Sequence, residues 1–196
     1  MATSIQAAFA EHSAVAARAA RELPAVLERI GTAMHGCLGA GHKILACGNG
    51  GSAAHAQHLV AELVGRYRDE RPALAAIALT ADTAILTALG NDYGYERVFA
   101  RQVEALARRG DLLFAISTSG KSRNVVAAAA TARSLGCSVI ALTGADGGPL
   151  ATHAELLAAV PATVVARIQE IHTLCIHAII ESLEPLLRAA EQHEPR

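Results

Sequence analysis

The stretch KILACGNGGSAAHAQHLVAEL, residues 43–63, joins a short apolar run, a glycine-rich turn and a helical pattern. Short apolar runs that end in glycines are typical of buried strands, since glycine interrupts regular structure and permits a tight turn. From Ser52 onward the apolar side chains recur at the spacing of a helix face. The stretch therefore predicts a buried strand and turn over 43–51, followed by a helix from Ser52 to about Arg66.

The same alternation of strand and helix continues along the chain. It predicts an α/β fold with a central parallel sheet covered by helices on both faces. Further strands are predicted at 73–80, at the start of 111–120, where a polar turn follows, at 137–144 and at 155–161. Helices are predicted at 3–22, from Pro24 to about Leu38, at 84–89, after a turn within 90–110, at 122–136 and at 164–188.

Composition narrows the possible partners. The 196 residues suffice for one domain with a substantial core, and no linker or clear repeat divides them. Hydrophobic residues make up 52% and aromatics only 3%, which favours aliphatic layers around buried strands. The net charge of −1 gives no electrostatic basis for binding nucleic acid or an anionic membrane. Any phosphate-bearing partner should therefore be small and held by local geometry.

Targeting signals and cysteine spacing predict a cytoplasmic protein. The N-terminal segment lacks the basic and apolar regions of a signal peptide. No apolar run approaches the ~20 residues of a membrane span. The four cysteines form no C-x-x-C pair, so we expect free thiols in a reducing compartment. They are Cys37, Cys47, Cys137 and Cys175.

Two polar turns follow predicted strands and precede predicted helices, which is where ligands bind in α/β folds. In GNGGS (48–52) the glycines let backbone amides approach a ligand, and Ser52 is a candidate helix cap. A tight turn without a ligand explains this segment equally well. AISTSGKS (115–122) contains four hydroxyl residues, which is more than helix capping needs. It therefore favours an anion site at a helix N-terminus.

His58 and Glu62 share a face of the first of these helices because they are four residues apart. A histidine and a carboxylate at this spacing can hold a divalent metal or act as an acid/base pair. A solvated polar stripe is the alternative. His55, three residues before His58, receives no role.

The last helix contains RIQEIHTLCIH (167–177), in which Gln169, Thr173 and His177 recur at intervals of four. His172 and His177 are five residues apart, which fits one helix face poorly. Histidines in an aliphatic helix are more often packed or interface residues than ligands, so this segment alone predicts no function.

Taken together, these segments resemble the sugar isomerase (SIS) domain proteins and, within them, the phosphoheptose isomerases. The resemblance runs from about Lys43 to His177, and the order and spacing of its motifs are specific. The motifs are CGNGGSAAHAQHLVAELVGRYRDERP, LTALGNDYGYE, FAISTSGKSRNVV, VIALTGADGG and ARIQEIHTLCIH. The resemblance implies a three-layer sandwich with a central parallel sheet, in a single SIS domain over 1–196. Residues 1–40 would form an N-terminal helical, oligomer-forming extension, and residues 41–190 the sugar-phosphate-binding core.

The family resemblance also implies an activity. Members of the phosphoheptose isomerase family are homotetramers with sites at subunit interfaces, and they convert D-sedoheptulose 7-phosphate to D-glycero-D-manno-heptose 7-phosphate. This is the first step toward the ADP-heptose of the lipopolysaccharide core. Glu62 and His177 match the family's acid/base pair. The residues that match its substrate contacts are Asn49, Gly50, Gly51, Ser52, Glu62, Asn91, Asp92, Ser117, Thr118, Ser119, Ser122 and Gln169.

One zinc ion per subunit is implied by the same resemblance, since His58, Glu62, Gln169 and His177 match its ligands. The residue types suit the chemistry. A carboxylate such as Glu62 can move a proton between neighbouring carbons through an ene-diol. His177 can move protons between oxygens, because histidine titrates near neutral pH. Zinc could polarise the oxygens or only hold the side chains.

Two other functions are carried as alternatives. The sequence also resembles a non-enzymatic SIS relative that binds the replication initiator DnaA, notably in SAAHAQH and ARIQE. That relative lacks the glutamate and the final histidine, so Glu62, His177 and the complete serine loop favour the enzyme. A sugar-phosphate sensor of the kind found in transcription regulators ranks lower, because the N-terminal helices lack basic recognition character. Those helices are expected to pack on another subunit or, alternatively, to cover the sheet of their own chain.

Overall fold

A computed structural model describes residues 3–191 of the chain, and side chains through residue 187. The predicted domain over 1–196 extends beyond the described residues at both ends. The described residues form five strands: β1 (Ile44–Gly48), β2 (Ala76–Ala78), β3 (Leu112–Ser117), β4 (Ser138–Gly144) and β5 (Leu156–Val160). The α-helices are α1 (Ser4–Glu22), α2 (Pro24–Gly39), α3 (Gly51–Val64), α4 (Thr83–Tyr93), α5 (Ala100–Leu106), α6 (Arg123–Ser134) and α7 (Val165–Glu191), with short 3-10 turns at Tyr95–Arg97 and Gly148–His153.

All five strands form one parallel sheet in the order β2-β1-β3-β4-β5, as the alternating pattern predicts. β1 and β3 lie at its centre, and every residue of both strands is buried. β2 is the shortest strand, with three residues where the sequence predicts eight. It lies at the edge of the sheet, where only one neighbour supplies hydrogen bonds.

Helices cover both faces of the sheet and complete three layers. Side chains alternate along each strand, so Ile44 and Ala46 face one core, and Leu45 and Cys47 face the other. The first core is closed by α1, α2, α3 and α7, and the second by α5 and α6. The predicted α/β sandwich with a central parallel sheet is therefore confirmed.

The N-terminal helices differ in what they bury. Pro24 occupies the first turn of α2, and Ile30 and Met34 are fully buried against the sheet. Thus α2 covers the sheet of its own chain. This was the alternative to packing on another subunit. On α1, Val15 is buried but Phe9 is 72% exposed. The large apolar side chains Ile5 and Phe9 on α1 therefore remain uncovered in this chain.

Two local predictions were wrong. Ser52 does not cap α3. Gly50 takes a positive φ of 54°, the helix begins at Gly51, and the Ser52 amide donates to the Asn49 carbonyl oxygen at 2.9 Å. The helix predicted at 84–89 is also longer. Asp82 caps it through the Ile85 amide, and it continues to Tyr93. None of the helices within the described residues is long and apolar enough to cross a membrane.

Candidate functional site

The site lies where the strand order reverses. From β1 the chain passes outward to β2 and then returns to β3 on the other side of β1. The connections therefore diverge above the carboxyl ends of β1 and β3 and leave a crevice, the usual ligand position in such sheets. Both polar turns lie there, because β1 ends at Gly48 and β3 at Ser117.

Asn49, the first residue after β1, is held by a reciprocal amide pair. Its Nδ2 donates to Asn124 Oδ1 at 2.8 Å, and Asn124 Nδ2 donates to Asn49 Oδ1 at 2.9 Å. The hydroxyl of Tyr95 also donates to Asn49 Oδ1, at 3.1 Å. The Asn49 oxygen therefore accepts two bonds, and one N–H remains for a ligand.

Sequence reasoning did not assign Asn124 or Tyr95 to the site. Asn124 is only 4% exposed although it lies in the first turn of α6. A buried amide at that position has to be hydrogen-bonded, and this was the available signal. No such signal marked Tyr95, because its contact with Asn49 depends on the turn that follows α4.

The glycine turn contacts α7 closely. A Cβ atom on Gly51 would lie 2.4 Å from the Gln169 Nε2 atom, so a larger residue there would displace the end of the Gln169 side chain. Gln169 thus lies against the beginning of α3. A Cβ on Gly48 would lie 2.6 Å from the Ser52 carbonyl oxygen. Gly48 is therefore required for the close packing of strand and helix, because the atom that a Cβ would meet belongs to the backbone.

The serine-rich turn between β3 and α6 presents hydroxyls at a helix N-terminus. Ser117 Oγ and Ser122 Oγ are 3.0 Å apart, and Ser119 Oγ accepts from the Lys121 amide at 3.1 Å. Ser122 is the N-cap residue, but its side chain makes no capping bond. Its hydroxyl instead contacts Ser117 Oγ within the turn and can also bind a ligand. The positive end of α6 favours an anion here.

Asn91 and Asp92 were predicted in a substrate-contacting loop. The structure places both in the last turn of α4, exposed to solvent. Asn91 Nδ2 donates to Asp92 Oδ1 at 2.8 Å, so the two side chains bond to each other. Only the next segment reaches the crevice, through Tyr95.

His58, Glu62 and His177 converge between α3 and α7. The Nε2 atoms of His58 and His177 are 2.8 Å apart, and His58 Nε2 lies 3.6 Å from Glu62 Oε1. One ligand atom from each of the three residues lies within 4.8 Å of the others. The side chain of Glu62 is 18% exposed. Two imidazoles and a carboxylate are a donor set that zinc accepts, and also one that can transfer protons.

Gln169, the fourth predicted ligand, lies beside Gly51. This position is nearer the N-terminal ends of α3 and α7 than the group of His58, Glu62 and His177. Helical side chains lean in that direction.

Three further side chains flank the group, and none of them was assigned a role from sequence. The Tyr67 ring lies 5.6 Å from the His177 ring, and its hydroxyl donates to Glu181 at 2.9 Å. That bond, with burial and the Glu181 charge, raises the pKa of Tyr67. Arg71 donates to the carbonyl oxygens of Glu62 and Leu63 and so holds the last turn of α3.

The other two histidines of α3 and α7, His55 and His172, also lie between these helices. His55 Nε2 lies 2.9 Å from Thr173 Oγ1, and burial, with the nearby His58, lowers the pKa of His55. His172 is fully buried, and its Nε2 lies 3.1 Å from the Thr143 carbonyl oxygen. Thus the face of α7 that sequence alone left without a function contacts α3 and the end of β4.

Comparisons with known proteins agree with this architecture. The family model of the SIS domain matches residues 9–144. A phosphoheptose isomerase of Aliarcobacter butzleri is 50% identical over 184 residues, which cover 94% of this chain and 97% of the relative. The solved structure of phosphoheptose isomerase GmhA from Neisseria gonorrhoeae has a TM-score of 0.88 at 47% identity, covering 92% of this chain and 97% of that chain. A phosphoheptose isomerase structure from Francisella tularensis has a TM-score of 0.89 at 40% identity, covering 92% and 96%.

Proposed function

The chain belongs to the phosphoheptose isomerases of the SIS-domain family, and we propose that it converts D-sedoheptulose 7-phosphate to D-glycero-D-manno-heptose 7-phosphate. It is thus an aldose–ketose isomerase that acts on a sugar phosphate. The observation that carries the proposed mechanism is the convergence of Glu62 with His58 and His177. Nothing in simple helix packing calls for two imidazoles and a carboxylate at one point.

Glu62 is the proposed base. It removes the proton from the carbon next to the carbonyl and returns it to the neighbouring carbon, so that an ene-diol lies between the two steps. His177 carries protons between the two oxygens and assists ring opening, because a neutral imidazole can both accept and donate a proton. Arg71 keeps the Glu62 backbone in place through the carbonyl bond.

The substrate phosphate is proposed to bind at Ser117, Thr118, Ser119 and Ser122. The support is the position of these hydroxyls at the N-terminus of α6, where amides and helix dipole favour an anion. The sugar hydroxyls would meet the turn of Asn49, Gly50, Gly51 and Ser52, with Gln169 beside it. Contact of the substrate with Asn91 and Asp92 remains a prediction.

Zinc fits the residues that converge here. His58, Glu62 and His177 would hold one ion, with Gln169 as a predicted fourth ligand. When bound, zinc would supply a Lewis acid that polarises sugar oxygens. A carboxylate shared with a metal is a weaker base, so the two roles of Glu62 compete.

A homotetramer with sites at subunit interfaces is also proposed. Along α3, Glu62 lies eleven residues beyond Gly51, roughly 16 Å at 1.5 Å per residue. That separation between the acid/base group and the crevice favours a site completed by a second copy. Phe9 and Ile5 leave an apolar stripe on α1 that another copy could cover. We accordingly keep residues 1–40 as an oligomer-forming extension of the 41–190 core.

The proposed reaction is the first step toward ADP-heptose for the lipopolysaccharide core, in the cytoplasm. The assembled Glu62–His177 pair favours this enzyme over the DnaA-binding alternative, since a scaffold has no chemical use for it.

The test is turnover of sedoheptulose 7-phosphate by the purified protein, with zinc added or chelated. Turnover that Glu62→Gln abolishes would support the mechanism. A folded wild-type oligomer without turnover under any metal condition would refute it and direct attention to DnaA binding.

A further inference from the structure

We propose that His172 is a positioning residue, which holds the phosphate-binding turn (residues 117–122) in place through the end of β4. The inference rests on the proposed function. His172 is fully buried on α7, three residues after Gln169 and five before His177. Its Nε2 lies 3.1 Å from the Thr143 carbonyl oxygen, which can only accept, so Nε2 carries the hydrogen.

Thr143 is the last but one residue of β4, and the segment after it contacts the phosphate-binding turn directly. The Gly144 amide donates to the Thr118 carbonyl oxygen at 2.8 Å, and the Leu150 amide donates to the Gly120 carbonyl oxygen at 3.0 Å. A Cβ atom on Gly120 would lie 1.9 Å from the Gly147 carbonyl oxygen. The backbone of the phosphate-binding turn therefore rests on the end of β4 and the turn that follows.

A packing role alone does not explain a histidine at this position. The Nδ1 atom of His172 is buried without a hydrogen-bond partner in the described structure, and an unpartnered buried polar atom costs stability. Ile168 and Ile176, one turn away on either side along α7, are buried and aliphatic, so leucine would satisfy packing against them. What leucine lacks is the N–H that fixes the Thr143 carbonyl. Burial, with the nearby His55, lowers the pKa of His172 to about 4, so the ring stays a neutral donor at physiological pH.

The arrangement gives α7 two tasks. It carries Gln169 and His177 on one side and, through His172, fixes the strand end that supports the phosphate-binding turn. The position of the bound phosphate then depends on this bond. Loss of the bond should loosen phosphate binding while the proton-transferring side chains stay in place.

The experiment compares His172→Leu, which removes the donor, with His172→Gln, whose amide can place an N–H near the same position. Ile171→Val is the matched control, because it trims a fully buried neighbour and leaves the hydrogen bond intact. KM and kcat are measured with sedoheptulose 7-phosphate, and Kd with inorganic phosphate by calorimetry. We expect His172→Leu to raise KM and the phosphate Kd about tenfold, as suits one lost buried hydrogen bond, with kcat within about threefold of wild type. His172→Gln should recover most of the loss.

Equal phosphate affinity in all three variants would overturn the positioning role. So would an Ile171→Val protein that loses phosphate affinity as strongly as His172→Leu. If His172→Leu does not fold, His172→Asn replaces it, because the shorter amide cannot reach the Thr143 oxygen. His172→Asn should then bind phosphate more weakly than His172→Gln. A wild-type protein that neither binds phosphate nor turns over the substrate would instead refute the proposed function, and with it this inference.

Discussion

The Nε2 atoms of His58 and His177 lie 2.8 Å apart, although 119 positions separate the two residues in the chain. The contact exists because α3 and α7 pack side by side on one face of the sheet. It places Glu62, one turn after His58, beside both imidazoles. The three side chains form the group on which the proposed acid/base chemistry depends.

Glu62→Gln should lower kcat at least about 100-fold, because the amide cannot accept the proton that a general base removes. The fold should persist, since glutamine has nearly the same volume and shape. The measurement is kcat with sedoheptulose 7-phosphate, together with the phosphate Kd, which should stay near the wild-type value. Glu104→Gln is the control, because this carboxylate forms only exposed ion pairs with Arg97 and Arg101. Retention of wild-type kcat by the Glu62 variant would exclude the assigned role.

His58→Asn should weaken zinc binding by more than about tenfold, since even outer-shell changes at metal sites cost that much. Zinc affinity is measured by competition with a chromophoric chelator. His12→Asn is the matched control, because His12 lies on α1 and pairs with Glu170 instead. Equal zinc affinity of the two variants would show that the three converging residues are not the metal site.

Ser122→Ala should raise KM about fivefold to tenfold and leave kcat nearly unchanged, because it removes one hydroxyl donor from the proposed phosphate site. The Ser117 hydroxyl also loses its neighbour at 3.0 Å. Steady-state kinetics provide the test. Ser134→Ala is a suitable control, since this serine lies at the other end of α6 and bonds its own helix. An unchanged KM for Ser122→Ala would argue against the phosphate site.

Asp111 stabilises the amino end of β3, far from the crevice. Its carboxylate accepts bonds from the Lys43 ammonium at 2.5 Å and from the Arg108 amide at 2.7 Å, and its side chain is 2% exposed. Asp111→Asn should therefore lower the free energy of unfolding by about 2–4 kcal/mol. Urea denaturation of the two proteins at neutral pH measures this difference.

The effect of Asp111 should also depend on pH. Burial raises the pKa of its carboxyl, but the bonds from Lys43 and Arg108 outweigh burial and hold the pKa below its ordinary value. Because the folded-state pKa is the lower one, the contribution is fully present above about pH 4 and disappears as the pH falls through the folded pKa. The stability gap between wild type and Asp111→Asn should shrink in that range. A gap of constant size would contradict the ionised pairing.

Several features of the fold could be predicted from sequence because they are local. The apolar run before Gly48 and the helical pattern after it depend on residues only a few positions apart. The errors have local causes as well. Ser52 had the chemistry of a helix cap, but the positive φ of Gly50 allowed the helix to begin earlier. Asp82 capped α4, and the helix continued to Tyr93, where the positive φ of Gly94 ends it.

Sequence patterns were enough to predict the alternation of strands and helices, the position of both polar turns at strand ends, and the shared helix face of His58 and Glu62. Each follows from side-chain periodicity over a few residues. Three contacts became visible only in the folded chain: His177 joins that pair, Asn124 and Tyr95 hold Asn49, and His172 reaches the end of β4. These contacts join distant segments. They arise because the order of the strands determines which helices pack together, and that order comes from burial across the whole chain.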